Sequence, residues 1–504
     1  MKKFSFILFL TVCFLQMQGQ DRTMYWIHGF AGNNSAWFPI TRAVQEAGLV
    51  SDFPARRATC IRTPYSSPGN ATGVIDLATA ASSLQQVFQD NGANNPGKTE
   101  NAIAIAHSQG GLVTRWATDN VIPAVGHGKY FRGLVTSGSP HAGARISNAR
   151  NLMLQNGQSE LDAFLNQGCH RLGGAVVQDN IPELNGLATF FGLQTVLDNT
   201  VGGVVDKLCD FLFSADPNGP DPAKTTLFAQ KKILGAFTGV DGTRGVLDDP
   251  VISSYAVGAP ALNQLNNMPL TSDIVRVNFY GSELDNGVFF RTIHYFFNQS
   301  AAEQPFQATD SKEEDGVAKF TTLRNHLLSR ARSNRIEANS IECGWFWYVP
   351  VMVGPCLVVQ QQANHLRSQA DQIEDGARWI DNADDQWLGL IGSKQMTVTS
   401  STTQCVCDVG TSAYVANRPC TAREIRRDCF EEVVFRTFGT REDHDGVVVK
   451  SSAMAMPGAI QISDINARME GSQHMQMRND PNTRDKMLLL FEGQIDPFFF
   501  TLPK

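Results

Sequence analysis

The chain has 504 residues, 42% of them apolar and 18% charged, and a formal net charge of −7 from 42 basic and 49 acidic side chains. That is more chain than one ordinary hydrophobic core holds, so a core with large insertions or a second domain is expected. The acidic balance argues against a nucleic-acid surface, and the apolar content is ordinary for a globular protein.

Residues 1–20, MKKFSFILFLTVCFLQMQGQ, place Lys2 and Lys3 ahead of an apolar run that ends near Leu15 and then turns polar. This is the pattern of a secretory signal peptide, too short to span a bilayer, and it predicts an exported protein, secreted, periplasmic or at the cell surface. In such a compartment the cysteines beyond it, Cys60, Cys169, Cys209, Cys343, Cys356, Cys405, Cys407, Cys420 and Cys429, could form up to four disulfides with one thiol over. None stands in a C-x-x-C pair, and the C-x-C of Cys405 and Cys407 has no histidine pair downstream, which argues against zinc.

The first expected strand, Thr23 to Ile27, runs into His28-Gly29-Phe30-Ala31-Gly32. Asn33 and Asn34 then lead through Ser35 into an expected helix from Phe38 to Ala47, stopped by Gly48. A short strand follows near Ala58 to Arg62, and Val74 to Gln89 reads as an amphipathic helix with Leu77, Ala80, Leu84, Val87 and Phe88 on one side. The stretch from Asn101 to Trp116, NAIAIAHSQGGLVTRW, is an apolar strand, a serine flanked by small residues, and a helix-forming run. A serine on so sharp a turn needs small residues two before and two after it, and Ala106 and Gly110 stand there. The turn would lift the Ser108 hydroxyl clear of the sheet and leave backbone N–H groups, Gln109 first, at a helix N-terminus. The alternative is a serine that only caps a buried helix.

Another strand is expected from Gly133 to Ser137, ending in Gly138-Ser139-Pro140-His141-Ala142-Gly143. Residues Ala144 to Thr243 read as mainly helical, before strands at Val251 to Val257 and Ile274 to Tyr280. A large insertion, 286–429, carries two helical patterns, about Val317 to Ile341 and Val358 to Leu390, joined by an apolar turn. That turn would bring Cys343 to Cys356, and its tip, Trp345 to Val353, either packs on the core or forms a hydrophobic edge that meets lipid. Thr399 to Cys429 reads as a small disulfide-stapled β element. Past it lie the acidic loop and β-branched run of Thr440 to Ala453, a strand at Ala459 to Ile462, a loop with His474, and a final helix from near Asp480. Strands alternating with helices imply a parallel sheet with its site at the carboxyl ends of the strands.

The stretches WIHGFAGN, AIAHSQGGLV and LVTSGSPHAG, in that order and spacing, resemble the first half of a secreted bacterial lipase or esterase of the α/β-hydrolase superfamily. The resemblance implies an α/β fold with a mainly parallel central sheet flanked by helices, its core made by residues 21–285 and 430–504, with the cap at about 144–243 and a large, mostly helical insertion at 286–429. It implies Ser108 as nucleophile, the backbone N–H groups of Phe30 and Gln109 as oxyanion donors, and an acid and a histidine later in the chain. The Asp-Gly-x-Val loop of those lipases is similar to Asp445-Gly446-Val447-Val448, and His474 follows 29 residues after Asp445. Asp443 and Asp285 remain rival acids. Of the other late histidines, His294, His326 and His365 fit packing or helix surfaces, and His444 lies in the acidic loop itself. His28 reads as a loop-shaping residue.

Asp443 and Asp445 alternate along an extended segment and could face one cation, with Asp480 as a further ligand; some related lipases hold a structural calcium, but no metal ligand set is assigned and no organic cofactor is implied. The expected activity is hydrolysis of carboxylic esters, acyl lipids first, through a Ser-His-Asp triad and an acyl-enzyme. An acyltransferase or amidase with the same triad, and a non-catalytic binding protein on the same scaffold, are the alternatives. The expected partners are a lipid or other small ester and a lipid surface.

Overall fold

The architecture comes from a computed structural model that describes, apart from a few single positions, residues 22–41, 58–65, 76–91, 102–119, 130–148, 250–283, 312–340, 357–371, 388–393, 397–425, 429–438 and 441–499. The expected leader at 1–20, most of the cap, Asp285, His294 and the Cys343–Cys356 turn with its apolar tip lie outside these residues.

Within them run β1 (Arg22–Ile27), β2 (Ala58–Arg62), α1 (Leu77–Asp90), β3 (Ile103–His107), α2 (Gln109–Asp119), β4 (Gly133–Ser137), α3 (Pro260–Asn267), β5 (Val275–Ser282), α4 (Lys312–Ser340), β6 (Thr397–Val409), β7 (Ser412–Ala416), β8 (Cys429–Phe438), β9 (Arg468–Glu470) and α5 (Pro481–Phe491). β2, β1, β3, β4, β5 and β9 hydrogen-bond in that order, all parallel. A parallel sheet of this kind is covered on both faces, and its strands carry apolar side chains on both sides. Tyr25, Ile27, Ala104 and Ala106 join Leu84, Phe88, Leu112 and Trp116 of α1 and α2. The alternate residues Met24, Trp26, Ile103 and Ile105 pack with Trp37 and with Met487, Leu490 and Phe491 of α5. Period-two alternation thus hands one face to the early helices and the other to the last.

Local chemistry sets the helix ends. Asp76 accepts from the Thr79 N–H at 2.7 Å and starts α1, so the helix begins after the expected Val74. Asp480 caps α5 in the same way through Thr483, with Pro481 in the first turn. Two expected strands are corrected. Pro250–Tyr255 is a 3₁₀ helix: its residues Val251, Ile252 and Tyr255 are buried together with Ala256 just after it, a helical rather than an alternating spacing. Ala459 makes only an isolated parallel bridge to Arg276, beside Gly458 at φ +71°, and the sixth strand is instead β9, three residues long.

Two long excursions leave the sheet and return where they left. The Ala144 N–H donates to the Tyr255 carbonyl at 2.7 Å, and the Glu283 N–H to the His444 carbonyl at 2.7 Å. The second excursion holds α4 and an antiparallel sheet in the order β7-β6-β8, stapled by Cys405–Cys420. Cys429, which opens β8, is disulfide-bonded too. β8 runs continuously from Cys429 to Phe438.

Candidate active site

β3 stops at His107 and α2 starts at Gln109, leaving Ser108 alone in the turn at φ +55°. A non-glycine residue in that region costs about 1–3 kcal/mol and persists only where its surroundings demand it. They do so here: the Ser108 N–H donates to the Ser137 carbonyl of β4 at 3.0 Å, and a Cβ at position 110 would overlap the His28 carbonyl oxygen. Gly29 lies as near, since a Cβ on it would stand 2.8 Å from that of Ser108. The loop after β1 is thereby pressed against the serine, bringing Phe30 beside the turn. No described acceptor engages the N–H of Phe30 or of Gln109, and the second belongs to the first turn of a helix, where no intrahelical partner exists.

The loop between β9 and α5 supplies the histidine. His474 is buried, with Nε2 2.8 Å from Ser108 Oγ and Nδ1 2.7 Å from Asp445 Oδ2. Asp445 Oδ1 accepts from the N–H groups of Val447 and Val448 at 3.0 and 2.7 Å, and its carbonyl accepts from the His474 N–H at 2.7 Å. A carboxylate only accepts, so Nδ1 of His474 carries the proton and Nε2 is left to accept from the serine hydroxyl. The geometry gathers Ser108 into one hydrogen-bonded chain with His474, 366 positions further along, and Asp445, 29 positions before that histidine.

The rivals are turned elsewhere. Asp443 accepts from Ser282 Oγ at 3.1 Å and pairs with Arg468. His444 is buried in its own loop, Nδ1 accepting from the Gly446 N–H at 3.0 Å. Asp443 and Asp445 thus engage different partners, and the carboxylate of Asp480 is held by Thr483 and Ser472. Among the described residues no three metal-ligating side chains gather to hold an ion.

Two residues with no expected role complete the surroundings. His107 donates from Nε2 to the His474 carbonyl at 2.7 Å and packs its ring 4.7 Å from that of His474. It sits directly before the serine, so its position alone was the available signal. Tyr255, expected on a strand, meets the Gln109 side chain and the Phe30 ring. No local pattern marks it, because both contacts are long-range.

His28 stacks on Tyr65 with centroids 4.4 Å apart and donates from Nδ1 to the Gly29 carbonyl at 3.1 Å, which shapes the loop. Burial first, and the Arg478 charge after it, push its pKa down to about 4. Burial likewise holds His107 and His141 well below the ordinary histidine value. Above pH 6.5 these three are neutral folded or unfolded; below it the unfolded chain binds protons that the folded one refuses. Stability should therefore fall as pH drops from 6.5 towards 4, by up to about 1.4 kcal/mol per pH unit for each histidine. The urea midpoint is expected to be clearly lower at pH 5 than at pH 7, and an unchanged midpoint would contradict the three neutral imidazoles.

An all-parallel sheet covered on both faces, with a serine raised on the strand-to-helix turn at the carboxyl end of a central strand, defines the α/β-hydrolase fold. No protein-family model and no curated protein matches the chain. Among solved structures it is similar to an extracellular α/β-hydrolase from a Paenibacillus species, 15% identical over 25% of this chain and 45% of that one, at a TM-score of 0.19. It is similar also to the mature form of a Bacillus licheniformis lipase, 19% identical over 28% and 49% at 0.20, and to MenH from S. aureus, 12% identical over 57% and 83% at 0.23. The chain spans less than half the length of the first two. Likenesses this slight carry no functional argument, and the fold assignment stands on the sheet order and the turn. Among the described residues no helix is long and apolar enough to cross a membrane.

Proposed function

We propose that the protein is an exported serine hydrolase that cleaves carboxylic esters, acyl lipids first among them. The observation that carries the reading is the unbroken chain of contacts from Ser108 Oγ through both ring nitrogens of His474 to Asp445. In the reading, Ser108 attacks the ester carbonyl as His474 takes its proton, and the oxyanion lies between the N–H groups of Phe30 and Gln109. His474 then protonates the leaving alkoxide, and water, deprotonated by the same ring, releases the acid and restores the serine. Asp445 holds the imidazole in the required tautomer and stabilises the imidazolium. Export is supported by the composition of residues 1–20, and the lipid preference by the resemblance of the motifs around Phe30, Ser108 and Asp445 to those of secreted lipases.

A panel of p-nitrophenyl esters from acetate to palmitate, with a fluorophosphonate probe as a label for the nucleophile, tests this. Hydrolysis rising with chain length, with the probe on Ser108, is the expected result. Absence of both hydrolysis and labelling would overturn the reading; labelled Ser108 with turnover only of amides, or only in the presence of an acceptor alcohol, would move it to an amidase or an acyltransferase.

A further inference from the structure

The two N–H groups that would hold the oxyanion belong to residues more than seventy positions apart, and one side chain touches both. Tyr255, 7% exposed, lies at the end of the 3₁₀ helix, and its hydroxyl accepts a hydrogen bond from Gln109 Nε2. Its ring stands edge-on to that of Phe30, with centroids 6.4 Å apart and planes at 76°. The Gln109 side chain is 2% exposed, and its Oε1 is buried with no hydrogen-bond partner among the described residues. The bond to Tyr255 is thus the contact that orients the amide.

Tyr255 is itself held firmly. Its carbonyl accepts from the Ala144 N–H at 2.7 Å, and two residues on, Val257 exchanges bonds with the Asn148 side chain at 2.9 and 3.3 Å. The turn before Ala144 is fastened in turn to the segment after the acid loop, where Ser452 Oγ donates to the Gly143 carbonyl at 2.6 Å. The support therefore runs from the loop that carries Asp445, through Gly143 and Tyr255, to Gln109 and Phe30.

We propose that Tyr255 is a positioning residue of the oxyanion hole, fixing the backbone N–H groups of Gln109 and Phe30 relative to each other by holding the Gln109 amide and backing the Phe30 ring. The proposal rests on the hydrolase reading above. Oxyanion donors act by being in place before the charge develops, and small displacements of a preorganised site lower the rate without a matching loss of substrate binding. Tyr255 touches no reacting atom, so its effect should fall on kcat and spare KM.

The test uses Tyr255→Phe, which removes the hydroxyl alone, Gln109→Met, which keeps the backbone N–H and removes the amide, and the pair together. Each single variant is expected to lower kcat on p-nitrophenyl esters about tenfold with KM within about twofold, and to weaken inhibition by an alkyl boronic acid, which takes a tetrahedral form on the serine, by the same factor. The double variant should be no worse than about tenfold, because both changes remove one bond. Unchanged kcat in either folded variant, a fall to about a hundredfold in the double variant, or a rise in KM with kcat kept would overturn the proposal. If one variant fails to fold, the other decides. A parent protein that neither hydrolyses esters nor takes the fluorophosphonate label would overturn the hydrolase reading and this one with it; an active parent with unaffected variants would sink only the role of Tyr255.

Discussion

Ser108→Ala is expected to lower kcat for ester hydrolysis by about a millionfold, to the level of background hydrolysis, while the fold survives. In the proposed mechanism the hydroxyl is the group that forms the acyl-enzyme, and among the described residues it is the one that His474 meets through Nε2, with Gly29 packed against its Cβ. The loss to the folded state is one hydrogen bond, and alanine at φ +55° is strained to a degree similar to serine. A melting temperature within a few degrees of the parent's should accompany the loss of activity. Turnover near that of the parent in a clean preparation would sink the assignment of the nucleophile.

Asp445→Asn should lower kcat by about 10⁴-fold with the fold kept. The asparagine oxygen can still accept from Val447 and Val448, but its NH₂ would then face His474 Nδ1 and can only donate. The ring responds by moving its proton to Nε2, and a protonated Nε2 cannot take the proton of Ser108. Asp443→Asn is the matched control, because Asp443 serves Ser282, Tyr280 and Arg468 and lies off the relay. If Asp443→Asn gave the loss and Asp445→Asn did not, the acid would be misassigned.

The parts of the fold that a reader of the sequence finds are those whose causes are local. β2 and β4 lie where their apolar and β-branched residues suggest, and the turn at Ser108 is legible because its steric demands fall on residues within two positions. Asp445 and His474 are legible as candidates through their motif and order; Asp443, two residues away in the same acidic loop, stays a rival there, and the contacts of the His474 loop fall on Asp445. β9 leaves no pattern because three residues are too few for one, and its strand character comes from pairing with Tyr280–Ser282. Tyr255 is hidden for a related reason. Its run SYAVGAP alternates well enough to suggest a strand, whereas the backbone there bends under Pro250 and Pro260 and buries Val251, Ile252 and Tyr255 together.

The hydrogen bond between Glu283 and His444 bears on how such a chain can afford its length. The entropy lost in bringing the ends of a segment together grows only with the logarithm of that segment's length, by about 0.6 kcal/mol for each doubling. Enlarging a connection of about 20 residues to the roughly 160 that separate these two positions is three doublings, or about 1.8 kcal/mol. The sheet therefore gives up little when β5 and the acid loop are joined by a long detour instead of a short one, provided that the detour begins and ends at neighbouring points and carries contacts of its own. The stapled sheet of β6, β7 and β8 supplies such contacts. The same reasoning applies to the detour closed by Ala144 and Tyr255, so both connections are places where segments of very different length could be exchanged at small entropic expense to the strands that frame Ser108.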